Sequence, residues 1–227
     1  MTDWSVINYG DQLTMAARRV DKKKKSNEIV AHATALFTER GYKETTIDAV
    51  AGRAGVAKGT IYQYFASKQD LFFGVFDTFT EQYFAEVREQ VPEPGVSAEV
   101  RLRQAAGAAF KMAAEHQEVL PLTFEFWAAS GSSSQEMREL FQTAFREMYA
   151  VFRAFFGDII RDGVERGEFA ETADIESITA VLVGSLDGLF LQAWFDDTMD
   201  PVKAGDAFLD VFLRGLKAGI DARREVK

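Results

Sequence analysis

Cysteine is absent from the 227 residues, proline occurs four times and histidine twice. Each shortage closes off a class of chemistry. Without cysteine there is no disulfide, no thiolate nucleophile and no cysteine-bound zinc, which accords with a reducing cytoplasm. His32 and His116 are too few for a histidine-based metal cluster, and His32, between Ala31 and Ala33 on a helical pattern, reads as structural. No G-x-S-x-G or H-E-x-x-H pattern occurs, and nothing positions His116 for a catalytic triad. Gly52 to Thr60 approaches the phosphate-loop pattern but reads Lys-Gly-Thr where that loop needs Gly-Lys-Thr, and no strand precedes it. No enzyme activity, cofactor or metal is expected. Few prolines and long apolar periodicities favour helices over a β-sandwich. Met1 to Val20 lacks the apolar core of a signal peptide. The longest apolar stretch, ITAVLVGSLDGLFLQAWF, is interrupted by Ser185, Asp187 and Gln192, so it reads as a buried helix and not as a membrane span.

What is present is a chain with 47% hydrophobic residues, enough for one large or two modest domains. Its net charge of −9 argues at first against a nucleic-acid partner. The distribution reverses that inference. Residues 1–70 carry 11 Lys/Arg against 8 Asp/Glu, and residues 71–227 carry 15 against 27. A basic end on an acidic body suits a protein that docks one surface on DNA.

The basic end contains the most informative stretch, TIDAVAGRAGVAKGTIYQYF, from Thr46 to Phe65. Ile47, Val50, Ala51 and Ala54 fall at i, i+3, i+4 and i+7, the stripe of a short amphipathic helix, with Thr45 or Thr46 able to cap it and Asp48 in its first turn. Gly55 supplies a left-handed residue to end it. A second helix follows at once, with Ile61 and Phe65 inward and Lys58, Gly59, Thr60, Gln63, Tyr62 and Tyr64 outward. This is helix, three-residue turn, helix. An ordinary surface helix would favour Glu, Lys and Ala. Here the unpaired amides at the helix start can donate to a phosphate, and Gly59 admits a sugar-phosphate chain close to the backbone. Lys58 adds a cation. Thr60 and Gln63 share a face, where Gln can bond an adenine edge and Thr can touch a thymine methyl, while Tyr62 and Tyr64 donate to phosphates or stack. Ser67 and Asp70 form a capping pattern for the next helix, whose first-turn Lys68 puts a further cation beside the same groove, so the residues expected at DNA are Thr46, Lys58, Gly59, Thr60, Tyr62, Gln63, Tyr64 and Lys68.

The run FTERGYKETTIDAVAGRAGVAKGTIYQYFASKQDLF resembles the DNA-binding domain of the TetR/AcrR family of bacterial transcriptional regulators. The likeness covers Ser26 to Phe76 and rests on Phe37, Gly41-Tyr42, Thr46, Ile47, Ala51, Ala54-Gly55-Val56, Gly59, Tyr62, Tyr64-Phe65 and Lys68 to Leu71. It implies an all-α homodimer with a C-terminal effector-binding domain, in most cases a repressor relieved by a small molecule. The expected partners are a double-stranded DNA operator, a second copy and an effector of unspecified identity, in a cytoplasmic protein with no membrane association.

The expected architecture is all-α, about nine helices: an extension at 1–21, a three-helix helix-turn-helix domain at 22–82, and a helical-bundle effector and dimerisation domain at 83–227. A short helical turn around Met15 to Arg19 is the only structure expected of the extension. Lys22 to Lys25 lies before the first helix, Ser26 to Arg40, either as a phosphate-binding arm or as a solvated leader, with no residue to decide between them. Helices are expected from Ser67 to about Val91, to about His116, around Leu120 to Ala129, from Gln135 to Arg166 with a kink at Gly157, from Asp174 to about Phe195, and from Pro201 to about Ala218. Among 20 Phe and three Trp, an effector cavity is expected to use Phe110, Phe124, Trp127, Phe145, Tyr149 and Phe152, with Glu125, His116 or Gln117 as polar anchors. For any single one of them ordinary core packing is the better explanation, while the set taken together points to a cavity in this region. The segment GSLDGLFLQAW is similar to the final domain of the TetR branch of choline- and betaine-responsive regulators, which implies a dimer interface at Gly184, Asp187, Gly188, Leu191, Phe208 and Phe212. A helical binding or adaptor protein with a structural three-helix unit, or an activator with the same DNA contacts, is the alternative.

Overall fold

A computed structural model describes residues 9–93, 95–115, 120–125, 135–171 and 174–224, which form helices joined by turns, with no strand among them. The helices are α1 (Tyr9–Glu44), α2 (Ile47–Arg53), α3 (Lys58–Tyr62), α4 (Lys68–Glu89), α5 (Ala98–Glu115), α6 (Gln135–Glu165), α7 (Ile175–Phe195) and α8 (Pro201–Arg224), with a further helical stretch at 120–125 between α5 and α6. The chain divides into two compact units, Met1–Thr78 and Phe79–Lys227. That division falls inside α4, as does the expected boundary at 82.

In the first unit, Ile29, Val30, Ala33, Leu36 and Phe37 of α1 are buried with Ile47, Val50 and Ala51 of α2, Ile61 and Phe65 around α3, and Leu71, Phe72, Phe73 and Val75 of α4. Aromatic edges lock its far end, where Phe37 meets Phe72 at 4.9 Å and 85° and Tyr42 meets Phe72 at 4.9 Å and 67°. Gly41 (φ 78°, ψ 166°) breaks α1 before its last residues, and Thr45 turns its hydroxyl inward onto the Gly41 carbonyl at 2.8 Å. The observed start of α1 corrects the expectation for the amino terminus. The helix begins at Tyr9 and not near Ser26, because residues 11–25 contain neither proline nor glycine and are rich in Ala, Arg and Lys. Lys22 to Lys25 accordingly lies on a helix and not on a leader before one.

The second unit is organised around α5, which packs against α6, α7 and α8. Ala98, Ala105, Ala106 and Ala109 are fully buried on α5, and these short side chains let its neighbours approach. At Gly205 on α8 the approach leaves no room for a side chain, because an added Cβ would lie 2.4 Å from the Phe110 ring of α5. Phe156, Ile159 and Ile160 of α6, Leu182, Val183 and Leu186 of α7, and Leu209, Leu213 and Leu216 of α8 complete the core. α6 runs through Gly157 as one helix, without the expected kink; a Cβ there would meet the Arg161 guanidinium at 3.3 Å and make ordinary contact with Ile175 and Thr179 of α7 at 3.7 Å. α7 opens on Asp174, which accepts from the Ser177 amide at 2.8 Å, and α8 opens on Asp200, which accepts from the amides of Val202 and Lys203. α8 continues to Arg224, past the expected end at Ala218. α7 is the one helix among the described residues long and apolar enough to cross a membrane, yet Thr179, Leu182, Val183, Leu186 and Ala193 are buried within the unit.

Candidate nucleic-acid interface

The helix-turn-helix is built from short-range bonds. Thr46, extended at φ −115°, accepts from the Ala49 amide at 3.1 Å and caps α2, so the hydroxyl is spent on the helix start. The turn closes where Val56 donates to the Ala51 carbonyl at 3.0 Å, and Gly55 sits at φ 65°, the left-handed conformation the turn requires. The Arg53 guanidinium holds both Glu39 oxygens, at 2.7 and 2.8 Å, and ties α2 to α1. Beyond α3, Ser67 accepts from the Asp70 amide at 3.0 Å while Asp70 accepts from the Ala66 amide at 2.8 Å, the reciprocal cap that the sequence pattern implies. α3 is thus fixed at both ends.

The outward face of α3 is open. Tyr62 is 48% exposed, Gln63, Lys58 and Gly59 are exposed, and Thr60 and Tyr64 are half-buried. Ala57 gives α3 no side-chain cap, and among the described residues no backbone carbonyl accepts from the amides of Lys58 and Gly59. These are the orphan donors on which an anion binds. A Cβ on Gly59 would meet nothing within 4 Å, so the fold itself has no use for glycine there. Lys58 reaches Asp48 at 2.7 Å, and that hydrogen bond raises the ammonium above its ordinary pKa. The pair is exposed on both sides, so a phosphate competes for the lysine at little cost. Asp48 as the holder of Lys58 was not evident from sequence, since ten residues separate them.

Lys68 is placed differently from the other candidates. Its ammonium donates to the carbonyls of Tyr42 at 2.9 Å and Thr45 at 3.0 Å and lies 4.4 Å from the Tyr42 ring centroid. It anchors the start of α4 to the junction of α1 and α2.

Two family models match the chain. The first, for bacterial regulatory proteins of the tetR family, covers residues 29–75; the second, for the C-terminal part of BetI-type transcriptional repressors, covers residues 98–217. The chain belongs to the TetR family. It is a DNA-binding transcriptional regulator whose helix-turn-helix is the one described above. A Bacillus subtilis relative, the fatty acid metabolism regulator protein, is 24% identical over 198 residues, spanning 86% of this chain and 97% of its own. A second from that organism, the HTH-type transcriptional regulator YhgD, is 31% identical over 144 residues, 63% of this chain and 72% of the relative. Among solved structures, a TetR transcription regulator from Haloarcula marismortui superposes with a TM-score of 0.73 at 20% identity, covering 86% of this chain and 98% of that one. FadR from Bacillus subtilis in complex with stearoyl-CoA gives 0.66 at 24% identity, covering 83% and 97%.

In the second unit of this TetR-family chain, the effector candidates separate into groups. Phe110 and Phe152 are core residues, with Phe152 packed edge-on against Tyr83 at 5.7 Å and Phe84 at 5.3 Å. Phe145 is half-buried and stacks on Phe141 at 4.5 Å; Phe124 is half-buried, 6.3 Å from Phe195; Glu125 is exposed. His116, Gln117 and Trp127 lie outside the described residues. Tyr149 donates to Asp187 at 2.8 Å, which places a carboxylate assigned to the dimer face beside an effector candidate. Asp187 is exposed as a residue, but the protein atoms packed around its carboxyl keep water from that group and push it above the usual range, and the Tyr149 hydrogen bond opposes that in part. Burial also raises the hydroxyl pKa of Tyr149 and of Tyr83, whose hydroxyl donates to the Ala109 carbonyl at 2.7 Å. Of the dimer candidates, Gly184, Asp187 and Leu191 are exposed and Gly188 half-buried, while Phe208 and Phe212 stack on each other at 5.5 Å and pack against the core. The sequence reading did not single out Val181, Trp194, Phe195 and Val211, which are also exposed. Val181 and Phe195 continue the three-and-four spacing of Gly184, Gly188 and Leu191 along α7, which was the available signal for those two.

Proposed function

We propose that the protein acts in the cytoplasm as a homodimeric repressor, in which two copies of α3 read two half-sites and a small molecule bound in the second unit releases the operator. One observation supports the dimer above others. Val181, Gly184, Gly188, Leu191 and Phe195 recur at spacings of three and four along α7, the period of a helix-pairing seam. Val181 is 65% and Phe195 75% exposed, and Val211 on the neighbouring α8 is 62% exposed. A Cβ on Gly184 or Gly188 would meet nothing in its own chain, so the room they leave serves a second copy. Apolar side chains in such a row mark an association surface, and pairing α7 and α8 with their counterparts makes an isologous four-helix interface. Two copies also double the contacts that one short helix makes and fix the half-site spacing.

For the effector, the half-buried Phe141, Phe145 and Tyr149 on α6 support a ligand with a long apolar portion, with Tyr149 and Asp187 as its polar contacts. The names of the fatty acid metabolism regulator protein and of FadR bound to stearoyl-CoA point the same way. Release then requires the ligand to favour the dimer that no longer matches successive grooves, by no more than its difference in affinity for the two states. The test is sedimentation of the protein and of a Val181→Asp/Leu191→Asp variant, with duplex binding by each. The wild type should sediment near twice 25.4 kDa and the variant as one folded chain with at least about 100-fold weaker operator binding. A wild-type monomer that binds DNA tightly would refute the dimer. Stearoyl-CoA should release the duplex where free coenzyme A does not; equal action by both would refute an apolar effector.

A further inference from the structure

Between Thr45 and Asp70 the helix-turn-helix has three cations, Arg53, Lys58 and Lys68, and the protein itself occupies each of them. The Arg53 guanidinium grips both Glu39 oxygens, the Lys68 ammonium donates to backbone carbonyls, and the Lys58 ammonium bonds the Asp48 carboxylate at 2.7 Å. They differ in how readily a phosphate takes the partner's place. Arg53 would give up a forked pair of bonds, and Lys68 would leave part-buried carbonyls without a donor. Lys58 has one bond to give up, and its side chain is 49% and that of Asp48 68% exposed, so both ends rehydrate when it breaks. Lys58 is therefore the exchangeable cation of the motif.

Asp48 is not required to start α2. Thr46 already caps that helix through the Ala49 amide, and the Asp48 carboxyl bonds across to Lys58, the first residue of α3. A first-turn carboxylate suits the dipole of α2, yet it leaves a negative charge one lysine side chain from the helix that meets a polyanion. That placement has a use if the pair separates on some duplexes and stays closed on others.

We propose that Asp48 sets the specificity of DNA binding: it holds Lys58 back from random duplex and yields it to a backbone phosphate only where α3 is seated on matched bases. The proposal rests on the reading of α3 as the helix that meets DNA. On random duplex the docked protein shifts among registers, no phosphate stays beside α3, and Lys58 and Asp48 act as a neutral pair. At a matched site the base contacts fix the register, one phosphate stays within reach of the lysine, and the released carboxylate remains in water. Asp48 thus subtracts one phosphate contact from non-specific binding and none from specific binding.

The experiment measures duplex binding by the full chain between 50 and 200 mM salt for wild type, Asp48→Asn and Asp48→Asn/Lys58→Gln, on a duplex selected from a random pool and on a random duplex. One phosphate contact is worth about 0.9 in the log-log salt slope. Asp48→Asn should steepen the slope on random duplex by that amount and leave the slope on the selected duplex unchanged. Its random-duplex affinity should rise up to about 5-fold at the lower salt, a gain that shrinks about 3-fold at the higher one. The double variant should return the random slope to the wild-type value and make the selected slope shallower by about 0.9. Matching thermal melts show that the variants fold. An Asp48→Asn slope that steepens equally on both duplexes shows plain repulsion and overturns the proposal. So does an unchanged random slope, or a steepened one that survives in the double variant. Each of these results leaves α3 as the reader, whereas a wild type that retards no duplex at any salt overturns both readings.

Discussion

Gly59→Ala separates the needs of the fold from those of DNA binding. The position lies in the first turn of α3, its φ is not in the left-handed region, and an added methyl meets nothing within 4 Å. Replacing glycine by alanine at such a site narrows the unfolded ensemble and stabilises by about 0.4–1 kcal/mol. In a chain of this length that raises Tm by roughly 1–4 °C. The same methyl projects into the space where a sugar-phosphate chain approaches the free amides of Lys58 and Gly59. Overpacking there costs about 1–3 kcal/mol, a ~5- to ~150-fold loss of duplex affinity. The assay pairs a thermal melt with fluorescence anisotropy on a duplex selected by the wild type. A more stable protein with weaker DNA binding is expected. A Gly59→Ala protein that is more stable and binds unchanged would show that the duplex does not approach this backbone. Gly55→Ala is the contrast, since φ 65° makes alanine strained there and lowers stability by about 1 kcal/mol.

Other substitutions test the remaining pieces. Gln63→Ala should reduce the ratio of selected to random duplex binding by about 5- to 150-fold, with random binding unchanged in competition titrations. Lys68→Met should cost about 1.5–3 kcal/mol in denaturant unfolding by removing bonds to the Tyr42 and Thr45 carbonyls, with the salt slope of DNA binding unchanged. Asp162→Asn should cost about 1–3 kcal/mol, because Asp162 at 2.8 Å is the carboxylate partner of the nearly buried Arg101, whose Nε already has no acceptor. Asp187→Asn keeps an acceptor for Tyr149 and removes a charge that burial disfavours. Because the folded pKa of Asp187 is raised, wild-type stability from this group is complete below the ordinary carboxylate value and is lost as pH rises through the folded one. The variant should therefore melt above wild type near pH 7, with the difference closing toward pH 3.5; a difference that widens on acidification contradicts the assignment.

The helix-turn-helix was legible in the sequence because each of its signals is local. Gly55, the Thr46 cap, the Ser67–Asp70 box and the Ile47-Val50-Ala51 stripe all act within four residues, and the structure realises each of them. The start of α1 was misjudged because residues 9–21 lack an apolar stripe, although their intrinsic preference is helical. The reach of Lys68 back to Tyr42 and Thr45 spans more than twenty residues, and no periodicity reports it. In the second unit, aromatic residues spaced along α6 look alike whether they fill a core, as Phe152 does, or stay half-buried, as Phe145 does. Only the packing of α5 and α7 separates those roles.

Crosslinking tests most directly whether the outward face of α3 meets DNA. A photocrosslinking residue, p-benzoylphenylalanine, replaces Tyr62 in one protein and Val211 in another, and each is irradiated with a bound duplex. The probe at Tyr62 should join to DNA and the probe at Val211 to a second protein chain. A probe at Tyr62 that joins to no DNA while the duplex is bound, or one at Val211 that joins to it equally, would contradict the account.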